Sequence, residues 1–213
     1  MTMIRDFDMK CSVCGETSEQ PVLLSTNTFG YPDLDLRPPE MQRSTMNAWI
    51  QECPNCGYVA GELTDEIEVS KDYLKCEEYL NCEGHDFKSK LAGRFYKRHM
   101  IARESGNIEG SFFALRNCIW ECDDEQDELA VELRKKAVEL INELIESDDE
   151  NRDTLIVMKA DLLRRSGQFD RLVEEYENLT LDDGNLNKVI RYQIERARER
   201  DCECYTTEEI FGE

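Results

Sequence analysis

No stretch of this 213-residue sequence approaches the roughly 18 consecutive apolar residues of a membrane-spanning helix. The opening MTMIRDFDMK also lacks the apolar core of a secretory signal. A cytoplasmic location is therefore expected, and in a reducing compartment ten cysteines read as metal ligands or packing groups rather than as a disulfide framework. A basic excess is missing too. With 26 basic against 47 acidic side chains the net charge is −21. A nucleic-acid binder draws most of its non-specific affinity from phosphate neutralisation, so nucleic acid and anionic membranes are poor partners. A basic protein surface is a better one. The acid excess is spread along the chain, with 7 basic against 17 acidic residues in 1–89 and 19 against 30 in 90–213.

Catalytic signatures are scarce as well. Histidine occurs only as His85 and His99, and neither a phosphate-cradling glycine loop nor a G-x-S-x-G elbow is present. His99, beside Arg98 in a helical stretch, reads as a packing or surface group rather than a general base. No catalytic residue is assigned, and the chain is read as non-enzymatic.

What the sequence does contain is a pair of knuckles, Cys11-Ser12-Val13-Cys14-Gly15 and Cys53-Pro54-Asn55-Cys56-Gly57. Two cysteines separated by two residues wrap a tight turn whose amides point at the sulfurs. The glycine after each pair permits the backbone conformation that this turn needs. Together Cys11, Cys14, Cys53 and Cys56 supply four thiolates, the closed ligand set of one structural Zn²⁺. A redox CxxC normally opens a helix, and neither knuckle precedes a helical pattern. The 38 residues between the knuckles exceed the usual ribbon spacing, but loop-closure entropy grows only logarithmically with length. Weaker candidates are Cys76, Cys82 and His85 as a partial second site. Cys118 and Cys122, four apart on one helix, read as buried packing groups. Cys202 and Cys204 carry no assigned function. Asp33 and Asp35 could chelate a cation, although carboxylates beside a proline loop usually face water.

Proline also divides the chain, for all five fall before residue 90. Residues 1–89 read as a small zinc-ribbon-like head with strands over Pro21–Thr26, Thr45–Glu52 and Tyr58–Leu63 and a short helix over Lys71–Leu80. In Thr45–Glu52 the apolar Met46, Ala48 and Ile50 alternate with Asn47, Trp49 and Gln51. Residues 90–200 read as antiparallel helices: Ala92–Glu104, Ile108–Glu121, Glu125–Glu146, Asp153–Arg165, Phe169–Asn178 and Leu186–Arg200. The third carries a buried stripe of Leu129, Leu133, Ala137, Leu140 and Leu144. Residues 201–213 show no periodicity and read as a loose tail. The expected class is α+β.

The segments Lys10–Gly15, Thr28–Arg37 and Glu52–Ala60 together resemble an uncharacterised bacterial family. That family combines a CxxC, a D-x-D-like middle loop and a C-P-x-C-G-Y-x-A box with tetratricopeptide-like helices. The resemblance implies architecture and a metal but no reaction. At the level of single residues, Ala160, Gly167, Phe169 and Tyr176 fit tetratricopeptide positions, while Leu172 and Leu179 stand where alanine is usual. Gly106, Ile108, Ser111, Leu115 and Cys118 fit in part, and His99 fills a small-residue place. Gly106 and Gly167 are 61 residues apart, not a multiple of the 34-residue period. The functional expectation is a zinc-binding scaffold whose helices bind a protein partner, with Arg94, Lys97, Arg98, Arg164 and Arg165 as exceptions on a partly acidic face. The alternatives are a zinc-ribbon regulator contacting nucleic acid through Lys10, Arg37 and Arg43, and a metal-dependent enzyme built on the Asp33/Asp35 loop.

Overall fold

Among the described residues the strands of this α+β protein lie in its N-terminal part. The computed structural model describes residues 1–212. Strands β1 (Met3–Lys10) and β2 (Thr17–Ser25) form one antiparallel pair, and β3 (Gln51–Glu52) and β4 (Val59–Ala60) form another. Among the described residues a four-residue helix α1 (Glu77–Leu80) is followed by α2 (Lys90–Glu104), α3 (Ile108–Asp124), α4 (Leu129–Ser147), α5 (Arg152–Arg165), α6 (Phe169–Tyr176), α7 (Gly184–Arg198) and α8 (Glu208–Phe211). None of them is long and apolar enough to cross a membrane.

The chain forms two compact units. The first contains Met1–Thr28 and Glu40–Asp127, the second Phe29–Pro39 and Glu128–Glu213. This division differs from one at residue 90. Helices α2 and α3 share a unit with the strands because Glu52, next to the second knuckle, is paired with Arg94 at 3.1 Å and Lys97 at 2.8 Å from α2. Arg98 of the same helix pairs with Glu68 at 2.7 Å. These three cations, expected on a partner-facing surface, are thus internal fastenings. The core of this unit includes Tyr58, Leu63, Tyr79, Phe95, Phe112 and Trp120.

Several local expectations are revised. Arg43–Ala48 is a 3₁₀ turn, not the start of a strand, and only Gln51–Glu52 of the expected Thr45–Glu52 run is extended. Within the turn the Thr45 N–H donates to the Gln42 carbonyl, and the Trp49 indole donates to the Thr45 hydroxyl. These local bonds override the apolar alternation. Lys71–Leu80 is broken at Cys76, whose extended backbone (ψ 152°) separates a 3₁₀ turn at Tyr73–Lys75 from α1.

In the second unit, α4 buries Leu133, Ala137, Leu140 and Leu144 as its periodicity predicts, with Leu129 half-buried. Arg164 is fully buried. It binds Asp161 at 3.0 Å, Gln193, and the backbone carbonyls of Asp201 at 3.0 Å and Glu203 at 2.8 Å. It is therefore no surface cation, and residues 201–212 are not a loose tail. The Leu34 N–H donates to the Tyr205 carbonyl at 3.0 Å, the Thr207 N–H donates to the Pro32 carbonyl at 2.8 Å, and α8 follows. Residues 29–39, part of the long stretch between the knuckles, thus pair with the chain's last segment.

Candidate metal centre

Each knuckle is the turn of a β-hairpin. The first joins β1 to β2 directly after the Lys10–Thr17 pair, and the second joins β3 to β4. The two turns carry the same hydrogen bonds. The Cys11 N–H donates to the Glu16 carbonyl at 2.8 Å and the Gly15 N–H to the Cys11 carbonyl at 2.9 Å. In the second knuckle the Cys53 N–H donates to Tyr58 and the Gly57 N–H to Cys53, both at 2.9 Å. Gly15 and Gly57 have φ of 78° and 71°, a region that a side chain would strain. The glycine after each pair is thus a geometric requirement.

Neighbouring segments hold the two turns in place. The Ser12 N–H donates to the Leu63 carbonyl at 2.9 Å, and the Leu63 N–H in turn donates to the Gln51 side chain at 2.9 Å. The buried Tyr79 hydroxyl donates to the Gly57 carbonyl at 2.6 Å, and the Lys71 ammonium donates to the Val13 carbonyl at 2.7 Å. The Gln20 side chain donates to the Glu52 carbonyl at 3.1 Å, linking the two strand pairs.

The result is one cluster. The ligand atoms of Cys11, Cys14, Cys53 and Cys56 all lie within 4.8 Å of one another. Cys11 and Cys56 sulfurs are 3.7 Å apart, and those of Cys14 and Cys53 are 3.6 Å apart. A regular tetrahedron with metal–sulfur bonds of about 2.3 Å has edges of about 3.8 Å. Four free thiols at these separations, and no disulfide among them, fit a tetrahedral metal ion. Cys11 and Cys53 are buried, Cys56 is half-buried and Cys14 is exposed. A hydrogen bond from the Asn55 side chain, aided by the Glu16 backbone, lowers the Cys14 thiol to about 6. Burial pushes Cys53 and Cys56 up. No protein-family model, no curated protein and no solved structure matches this chain.

Among the described residues no other group of three or more histidine, cysteine or acidic side chains converges in this way. Cys76, Cys82 and His85 are not brought together. Cys82 is buried with its sulfur 3.9 Å from the Gly93 carbonyl, and the His85 ring packs edge-on against Tyr96. Cys118 and Cys122 are buried in α3 as packing predicts. The Cys202 thiol donates to the Arg164 carbonyl at 3.6 Å and the Cys204 thiol to Asp33 at 3.5 Å. His99 is fully buried with Nδ1 2.9 Å from the Ser111 hydroxyl.

Asp33 and Asp35 do not face water. Both are 3% exposed, and Asp35 accepts the Arg37 N–H at 3.2 Å and lies 3.7 Å from the Arg165 guanidinium. Their charges are absorbed inside the second unit, which removes the basis for an open carboxylate site. Arg37 is 4% exposed. It cannot join Lys10 and Arg43 in a surface patch for nucleic acid. What sequence reasoning missed is the fastening set around the centre, above all Tyr79, Lys71 and Gln51. Pairing across 12 to 58 residues leaves no periodic trace in the sequence.

Proposed function

We propose that this protein is a non-catalytic scaffold in which one structural Zn²⁺, held by Cys11, Cys14, Cys53 and Cys56, fastens a zinc-ribbon-like head. Four thiolates form a closed sphere around zinc, so the ion contributes folding free energy rather than a reaction. The observation that carries the reading is the convergence of two hairpin turns, identical in their backbone bonds, on one set of four sulfurs.

The helices are the docking part of this reading. They are tetratricopeptide-like in their hairpin turns. At Gly106 and again at Gly167 the helix ends with φ near 75–78°. In each case the following residue's N–H returns to the carbonyl five residues back, Asn107 to Ala102 and Gln168 to Leu163. Helix hairpins of this kind bind protein segments. The net charge of −21 favours a basic partner in the cytoplasm.

Two measurements test the proposal. Metal analysis of reductant-treated protein is expected to return one zinc per chain, and a value near zero that loading does not raise would overturn the zinc centre. Capture from native lysate is expected to retain a partner that a Cys53→Ser chain, lacking metal, binds less well. An identical partner set with an unaltered fold would remove the link between metal and scaffold.

A further inference from the structure

The four thiolates are not equally sheltered. Cys11 and Cys53 are each 1% exposed, whereas Cys14 is exposed and Cys56 half-buried. These last two lie on the wall of a cavity of about 490 Å³, lined also by Val13, Asn55, Lys71 and Leu80. A small molecule can therefore reach the centre from one side, and the first sulfur it meets is the exposed one. No acidic side chain lines this cavity, although acids outnumber bases almost two to one in the chain. The Lys71 ammonium is anchored on the Val13 carbonyl, one residue from Cys14, at 2.7 Å.

The partner for a second step is also in place. Across the knuckles the Cys53 sulfur lies 3.6 Å from that of Cys14. A disulfide needs about 2.0 Å between sulfurs, a short closure from this separation. Resting on the zinc reading above, we infer that Cys14 is an oxidation site for small hydroperoxides, and that its reaction ejects the metal. The Cys14 thiolate attacks the outer peroxide oxygen, the O–O bond breaks, and the alkoxide leaves as an alcohol with a proton from solvent. The Cys14 sulfenic acid is then attacked by the Cys53 thiolate, and hydroxide leaves as water with a second proton. Two thiolates have lost two electrons to one O–O bond, a Cys14–Cys53 disulfide has formed, and the ion, left with two sulfurs, dissociates.

The test uses the full-length chain after metal analysis has established its zinc content, which decides the zinc reading by itself. One equivalent of tert-butyl hydroperoxide is added. Zinc release is followed with a chromophoric chelator, and unreduced peptides are mapped by mass. Zinc release is expected to keep pace with the loss of two hydrogen atoms, and the first linked peptide is expected to join Cys14 to Cys53. Leu80→Trp, at an exposed position of the cavity wall, should keep its zinc and release it about tenfold more slowly, because access and not thiol chemistry is altered. Zinc retained under excess peroxide overturns the inference. So does a first link between Cys11 and Cys56 or within one knuckle, and so does a Leu80→Trp rate equal to that of the parent. A chain that neither carries nor accepts zinc removes the metal reading, and this inference with it.

Discussion

Burial and hydrogen bonding set the four thiols against one another, and that has a measurable consequence for metal binding. With Cys14 at about 6 and Cys53 and Cys56 raised above the ordinary thiol range, neutral pH finds the first already ionised and the other two protonated. Zinc takes thiolates, so binding must expel at least the protons of Cys53 and Cys56. The sign follows directly. Acid competes with the metal, and affinity rises with pH by about two decades per pH unit or more near neutrality. Below about pH 6, where Cys14 also gains a proton, the dependence steepens. Chelator-competition titrations between these pH values check the slope, and a dependence shallower than one decade per unit would contradict the buried, protonated pair. In the second unit a different residue dominates. Arg164 has no exposure, and its guanidinium satisfies Asp161, Gln193 and two tail carbonyls at once. Arg164→Leu leaves the Asp161 carboxylate buried without its counter-ion, a loss of about 3–5 kcal/mol by urea unfolding. The double change Arg164→Leu, Asp161→Leu should recover part of that loss, since it removes the orphaned charge. A single variant within 1 kcal/mol of the parent would show that neither the ion pair nor the tail carbonyl bonds of Arg164 set the stability.

At the scale of elements, helix ends offer a cleaner comparison. Helices α2, α3, α5 and α7 all close with a residue of positive φ, but only two of these residues are glycines. Gly106 and Gly167 occupy the position at 78° and 75°, whereas Gln126 and Arg200 occupy it at 52° and 56°. Around Gln126 the bonds are those of the glycine ends, Asp127 N–H to Cys122 at 2.7 Å and Gln126 N–H to Asp123 at 3.1 Å. A side chain in this region costs about 1 kcal/mol that glycine avoids. Gln126→Gly is therefore expected to raise the melting temperature and Gly106→Ala to lower it, each by roughly 0.5–1 kcal/mol of stability. Equal melting temperatures for both variants would refute the argument. The same level explains what could be read in advance. The helices announced themselves because one face of each is apolar at helical spacing, as in Leu133, Ala137 and Leu140 of α4. The knuckles did so because glycine after CxxC is a backbone requirement. Strand β1 went unread because its residues lie largely in solvent on both faces, with Phe7 44% exposed, so no alternation marks it. Thr45–Glu52 misled for the opposite reason, an alternation produced by a 3₁₀ turn. The ordered tail was invisible because its order comes from Arg164, some 40 residues upstream in sequence.

For the whole molecule, the interleaving of its two units carries the last consequence. The chain leaves the first unit at Thr28, contributes Phe29–Pro39 to the second, returns at Glu40, and departs again after Asp127. Each unit has its own buried core, with Tyr58, Phe95 and Trp120 in one and Leu133, Leu163 and Leu172 in the other. The four sulfurs belong to the first alone. A structural zinc supplies folding free energy only to the part that its ligands fasten. Chelation should therefore lower the stability of the strand pairs and the α2–α3 hairpin, which Glu52 ties to the second knuckle through Arg94 and Lys97. Helices α4 to α7 hold no ligand, and their own contacts are unchanged. Calorimetry of the intact chain is expected to show two transitions, of which strong chelator moves one downward by tens of degrees in proportion to the lost binding energy. The other should keep its midpoint within a few degrees. Hydrogen exchange assigns the transitions, since amides of β3, β4 and α2 should lose protection on metal removal while those of α5 and α7 retain it. A single transition that shifts as a whole would mean that the chain crossings on either side of residues 29–39, which lie in the second unit, couple the two into one cooperative fold, and that the metal's contribution reaches Arg164 and the tail as well.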